Sequence, residues 1–269
     1  MRLLQWFLVL SFLFPPGVSA AVRIRCASTT STQNSGLLDY LLPLFERESG
    51  IHVDVVAVGT GAALEIGKRG DADVVLVHAK DLELKALKAG FFVKRRDVMY
   101  NDFVILGPPA DPAGIRGAAT VPKAFRLIAA KGAPFVSRGD RSGTHHRELF
   151  LWKKAGISPK GRPWYMEVGQ GMAKTLRIAS EKQAYTLSDR GTWLAVSDRD
   201  RLALSILYEG SPLLRNQYGV MAVNPAKHPH VKYPEAMKLI RWLTSPAGQK
   251  AIAAFKGPGG QQLFFPDAR

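Results

Sequence analysis

Ser137-Arg138-Gly139-Asp140-Arg141-Ser142-Gly143-Thr144-His145 is the stretch from which the rest of the chain is read. An apolar run, Ala133-Pro134-Phe135-Val136, ends there, and a helical pattern begins just after, over about residues 146–155. The order is strand, tight loop, helix. Gly139 and Gly143 let the backbone turn sharply and approach a guest closely. Ser142 and Thr144 bring hydroxyls to the place where a helix leaves its first amides unpaired. Arg138 adds a planar fork of donors. Donors, a positive helix end and a fixed cation together describe an anion site. A helix cap beside a surface arginine would use the same residues, so the loop needs support from elsewhere in the chain.

That support lies upstream. Residues 22–27 alternate as a first strand, Ser28-Thr29-Thr30-Ser31-Thr32 comes next as a hydroxyl-rich loop, and Leu37, Leu38, Leu41, Leu42 and Phe45 mark one face of a helix that closes near Gly50. A second strand, 51–58, turns through Gly59-Thr60-Gly61 into a helix reaching about residue 69. Asp73-Val74-Val75-Leu76-Val77 reads as a buried third strand with His78 at its end, and 81–89 as a helix. Strand–helix alternation of this kind predicts a parallel sheet covered by helices. In such sheets ligands bind beyond the carboxyl ends of the strands, where Thr29, Thr30, Thr60, Gly61 and His78 fall.

Residues 98–106 form a long extended segment that reads as a crossover to a second lobe, and 218–223 as the return. Between them the pattern predicts helices at 122–131, 171–182 and 189–196 and strands at 164–166, 184–187 and 202–207. Helices at 233–243 and 246–255 close the chain.

The first twenty residues carry a different message. Arg2 precedes a mostly apolar stretch from Leu3 to Phe14, Pro15-Pro16-Gly17 breaks it, and Val18-Ser19-Ala20 offers small residues. This is the pattern of an export signal cut after Ala20, and the apolar stretch is too short to span a bilayer comfortably. Cys26 lacks a lipobox, so the expectation is a soluble periplasmic protein. It is also the only cysteine, which excludes an internal disulfide. The net charge of +15 is spread along the chain, with Lys94-Arg95-Arg96 its longest basic run, so nucleic acid is not expected as a partner.

Enzyme motifs nearly form and fail. Gly59-Thr60-Gly61-Ala62-Ala63-Leu64 lacks the third glycine of a dinucleotide fingerprint, and Arg69 stands where a P-loop needs Ser or Thr. Gly139 to Gly143 misplaces the serine of a nucleophile elbow. His145-His146-Arg147-Glu148 has no second cluster to complete a metal site. What recurs is donors without a base, which is binding chemistry. No catalytic residue, metal ligand or cofactor is expected.

Taken as a set, Ser28-Thr29-Thr30-Ser31-Thr32, Val58-Gly59-Thr60-Gly61, Asp73-Val74-Val75-Leu76-Val77-His78-Ala79, Met99-Tyr100-Asn101-Asp102-Phe103, Ser137-Arg138-Gly139-Asp140 with Ser142-Gly143-Thr144-His145, Gly169-Gln170-Gly171-Met172, and residues 184–192 resemble the tungstate-binding receptors of bacterial tungstate ABC importers. Ser28 stands where that family usually has Thr. The resemblance implies a type II periplasmic binding fold: an α/β protein of two lobes joined by two crossover strands, with an oxyanion in the cleft. Lobe 1 would be residues 21–105 with 217–269, and lobe 2 residues 106–216. Carried over, Thr29, Thr30, Thr60 and Gly61 donate from lobe 1, and Arg138, Ser142, Gly143 and Thr144 from lobe 2. The implied partners are tungstate or molybdate and the membrane permease of an ABC importer. A phosphate or sulfate receptor on the same fold is the alternative, since phosphate receptors use a similar Arg…Ser-Gly-Thr loop. An exported hydrolase is the alternative from another class.

Overall fold

The structure, a computed structural model, describes residues 22–257 and 259–268. The export signal read over residues 1–20 lies outside the described residues. In chain order the elements are β1 (Val22–Thr29), α1 (Thr30–Asn34), α2 (Leu37–Ser49), β2 (Ile51–Val58), α3 (Thr60–Lys68), β3 (Val74–Val77), α4 (Lys80–Lys88), β4 (Phe92–Gly107) and α5 (Val121–Lys131). Next come β5 (Phe135–Ser137), α6 (Gly143–Ala155), β6 (Tyr165–Glu167), α7 (Met172–Glu181), β7 (Thr186–Asp189), α8 (Arg190–Ala195), β8 (Ser205–Tyr208), β9 (Arg215–Val223), α9 (Tyr233–Thr244), α10 (Pro246–Ala254) and β10 (Phe265–Pro266).

The main sheet runs β10-β4-β9-β3-β1-β2, and β7 and β8 add to the far end of β4. The parallel sheet expected from the strand–helix alternation is limited to β2-β1-β3; β9 joins β3 antiparallel, and β4 joins β9 antiparallel. The long strand β4 organises the molecule. Between Phe92 and Asp102 it pairs with β9, and from Phe103 to Gly107 with β7 and β8. Its hydrophobic contacts change partners at the same place. Val98 and Met99 belong to a core with Ile24, Leu41, Phe45, Tyr218 and Leu239, whereas Phe103 and Ile105 belong to one with Phe125, Phe135 and Trp152. Burying side chains on this scale, at about 25 cal/mol per Å² of apolar surface, is the main term that holds each half of the sheet to its helices.

Three local structures fix the strand ends and helix starts. The hydroxyl run read as a loop is partly ordered: β1 extends through Thr29, and Thr30 opens the short helix α1. Ser28 is fully buried and its hydroxyl donates to the Leu76 carbonyl at 2.9 Å, tying β1 to β3. Helix α6 begins at Gly143, three residues before the expected start, so Thr144 lies in its first turn.

Candidate functional site

The carboxyl ends of β1, β2 and β3 and the loop after β5 converge. Each side contributes a helix start capped by its own sequence. Thr29 caps α1, its Oγ1 accepting from the Thr32 amide at 3.2 Å. Ser142 caps α6, accepting from the His145 amide at 3.2 Å, which leaves the Ser142 hydroxyl hydrogen free to donate. Gly59 precedes α3, so Thr60 and Gly61 form its first turn.

The two sides touch. A Cβ on Gly143 would come within 2.8 Å of the His78 ring and 3.0 Å of Thr60 Oγ1. A Cβ on Gly61 would lie 3.7 Å from the Arg141 carbonyl. These are the close approaches for which glycine is suited.

Three buried donors at this meeting point have no protein partner: Thr60 Oγ1, Thr144 Oγ1 and Arg138 Nε. Thr60 is fully buried, Thr144 is 1% exposed and Arg138 3%. Buried polar groups are almost always paired, so these orphaned donors, with the unpaired acceptor Asp189 Oδ2 beside Arg138, make this region the candidate site. Arg138 is aimed by its neighbour: one of its terminal nitrogens donates to Asp140 Oδ2 at 2.5 Å, and Asp140 Oδ1 accepts from the Ser142 amide at 3.1 Å. The loop turns at Gly139, with φ of 61°, and at Arg141, with φ of 59°. Arg141 itself is exposed.

The first hydroxyl run forms a tight cluster. Thr29 Oγ1 lies 2.6 Å from Thr32 Oγ1, 3.1 Å from Ser31 Oγ and 3.2 Å from His78 Nε2, and Ser31 Oγ is 3.0 Å from the same nitrogen. The ring's other nitrogen, Nδ1, faces Asn216 Oδ1 at 3.0 Å. Asn216 Nδ2 already donates to Asn101 Oδ1 at 2.7 Å, so its oxygen accepts, His78 Nδ1 carries the hydrogen, and Nε2 accepts from a hydroxyl. Burial holds His78 neutral, lowering its pKa to about 4. Asn101 and Asn216 lie opposite each other on β4 and β9.

The structure thus brings Thr60, Gly61, Arg138, Ser142, Gly143 and Thr144 together. It sets Thr29 beside His78 in the hydroxyl cluster, and Thr30 is half-buried at the start of α1. Two carboxylates to which the sequence assigns no part in the site are also buried or half-buried here. Asp140 holds Arg138. Asp189, expected only as the start of the 189–196 helix, caps α8 by accepting from the Thr192 amide at 2.8 Å. Burial raises the Asp189 pKa, and Arg138 opposes that rise. Aspartate before a helix is a readable cap signal; the proximity of Asp189 to Arg138 is not readable from sequence.

An α/β fold with unpaired buried donors beyond its strand ends suits a binding protein, and residues 16–247 match the model of the PBP superfamily domain. The chain is 45% identical over 248 residues to the tungstate-binding protein TupA of Peptoclostridium acidaminophilum, covering 91% of this chain and 86% of that protein. It is 49% identical over 255 residues to a putative ABC transporter anion-binding protein of Haloferax volcanii, covering 94% and 74%. The solved structure of a tungstate ABC transporter protein from Geobacter sulfurreducens superposes with a TM-score of 0.80 at 56% identity, covering 88% of this chain and all of that one. The chain belongs to the PBP superfamily and, within it, to the family of the TupA tungstate-binding proteins.

Proposed function

We propose that this chain is the receptor of an ABC importer: it binds tungstate between two lobes and delivers it to a membrane permease. The single observation that carries the reading is the set of three buried donors, Thr60 Oγ1, Thr144 Oγ1 and Arg138 Nε, contributed from both sides of the cleft. A ligand that touches both sides can do so only when they are together, so it favours the closed form. The lobes are residues 21–105 with 217–269, and 106–216. The change of core along β4 supports this division.

Tungstate is a dianion that carries no proton at neutral pH, so its site needs donors. Phosphate carries a proton and needs an acceptor as well. Both oxygens of Asp140 are spent on Arg138 and the Ser142 amide, and the unpaired donors of Thr60, Thr144 and Arg138 outnumber the one unpaired acceptor beside them, Asp189 Oδ2, which favours tungstate and its close analogue molybdate over phosphate. Binding without turnover is supported by the relatives, which are named as tungstate-binding and anion-binding proteins. Export after a cut at Ala20 suits a periplasmic receptor. Cys26 is buried within β1, its thiol raised to about 12 by burial, which supports a protein without a lipid at that residue.

Isothermal calorimetry with tungstate, molybdate, sulfate and phosphate tests this reading. The expected result is one tight site for tungstate, competed by molybdate and untouched by millimolar phosphate. Phosphate competing at near-equal strength would contradict it.

A further inference from the structure

Arg147, in the second turn of α6, differs from the other sequestered arginines. Arg95, Arg138 and Arg190 each have a carboxylate oxygen within 2.8, 2.5 and 2.5 Å. Arg147 is half-buried and has no carboxylate at ion-pair distance among the described residues. Its guanidinium carbon sits 5.8 Å from the centroid of Phe103 and 5.5 Å from that of Phe150, and one terminal nitrogen donates to the Arg215 carbonyl at 3.2 Å. Burial lowers its pKa, while Asp81, from beyond pairing distance, raises it. A cation taken partly out of water without a counter-ion is costly, and the cost is relieved when an anion arrives nearby.

Its position indicates which anion. Arg147 lines a cavity of about 380 Å³ with His78, Lys80, Asp81, Gly143 and His146. His78 and Gly143 are also walls of the candidate anion site, and the charge of Arg147 acts on His78. Meanwhile the formal charge of Arg138 is opposed by Asp140 at 2.5 Å. A dianion resting on Arg138 therefore meets a cation that is already partnered.

We propose that Arg147 is the second counter-charge of the anion site. It acts through the low-dielectric wall formed by His78 and Gly143, without touching the oxyanion, and adds to the preference for a dianion. This rests on the oxyanion-receptor reading and deepens it.

Calorimetric titration of wild type, Arg147→Gln and Arg147→Lys with the same four oxyanions tests it. The Gln variant keeps a donor for the Arg215 carbonyl and loses the charge; the Lys variant keeps the charge and loses the planar stack on the rings. For the oxyanion that wild type binds most tightly, R147Q is expected to bind on the order of tenfold to a hundredfold more weakly, and R147K within about threefold of wild type. Melting temperatures without ligand serve as the folding control. If R147Q melts well below wild type, Arg147→Met, which keeps an apolar stem between the rings, takes its place with the same expected loss. A neutral variant that binds like wild type, or a Lys variant that loses as much as the neutral one, overturns the proposal. Wild type that binds none of the four oxyanions sinks the receptor reading; wild type that binds while R147Q binds equally sinks this inference alone.

Discussion

At the scale of the residue, Arg138 is the side chain on which binding should depend most. It is 3% exposed, aimed by Asp140, and its Nε has no protein partner. A hydrogen bond to a charged group contributes on the order of 1.5–3 kcal/mol, so Arg138→Ala should weaken tungstate binding by about 2–4 kcal/mol. Arg138→Lys should recover only part, because an ammonium lacks the fork. Arg141→Ala should cost far less, since that side chain is exposed. Calorimetry on the three variants checks the order, and an Arg141→Ala loss larger than the Arg138→Ala loss would reverse the loop's assigned orientation. The sequence marks Arg138, Ser142 and Thr144 as candidate donors, and the structure buries all three. The pairing of Asp140 with Arg138 is not legible, because it depends on how Gly139 and Arg141 turn the loop. The contact of His78 with Asn216 is hidden for a different reason: 138 residues separate them, and only sheet order brings them together.

Another residue-scale expectation concerns stability. Glu148 is 2% exposed; its Oε1 accepts from Tyr165 Oη at 2.7 Å and from Trp152 Nε1 at 3.1 Å. Burial raises its pKa from 4.5 to about 7, ahead of the lowering by its hydrogen bonds. The native chain therefore keeps this proton up to about pH 7, while the unfolded chain releases it near 4.5. The resulting stability is present in full below pH 4.5 and is lost as pH rises through 7. Glu148→Gln keeps the accepting oxygen and cannot ionise. In urea denaturation the variant should match wild type near pH 5 and exceed it at pH 8 by about 2–3 kcal/mol. A variant-minus-wild-type difference that stays flat from pH 5 to 8 would show that Glu148 is not held protonated.

At the scale of the element, the meeting of α6 with α3 and the end of β3 is the feature most open to test. The Gly143 backbone fits only because it has no Cβ to press on the His78 ring and Thr60 Oγ1. Overpacking costs typically 1–3 kcal/mol. Gly143→Ala should therefore weaken tungstate binding by roughly tenfold to a hundredfold, and the melting temperature without ligand should change little. A fall in that melting temperature with binding unchanged would mean that the contact supports the fold and not closure. Elements with strong periodicity are readable: α2 carries Leu37, Leu38, Leu41, Leu42 and Phe45 buried along one side, as its spacing requires. The start of β4 is not readable. Lys94-Arg95-Arg96 looks like a solvated run, yet the Arg95 side chain is largely covered and paired with Glu83 and Asp97, with the pairing of β4 to β9 shifting register across this segment. A buried ion network inside an irregular strand gives no alternating pattern. The helix α1 escapes a sequence reading for a related reason, since a run of hydroxyl residues carries no apolar period.

At the scale of the whole molecule, the candidate site depends on the pairing of β4 with β9: Asn101 and Asn216 pair across them while Asn216 contacts His78. The alternation of strand and helix makes the α/β class legible, and the two extended segments make two crossovers legible. The antiparallel joining of β9 to β3 is not, because nothing local in 215–223 says which strand it will lie beside. On the proposed function, an oxyanion sits where Thr60, Thr144 and Arg138 leave donors unpaired. Tungsten scatters anomalously, so diffraction near its absorption edge from crystals grown with tungstate locates the ion directly. One strong peak is expected, enclosed by both lobes and with oxyanion oxygens in hydrogen-bond reach of Thr60 Oγ1, Thr144 Oγ1 and Arg138 Nε. A peak held by one lobe alone, or lying away from those three atoms, would contradict it.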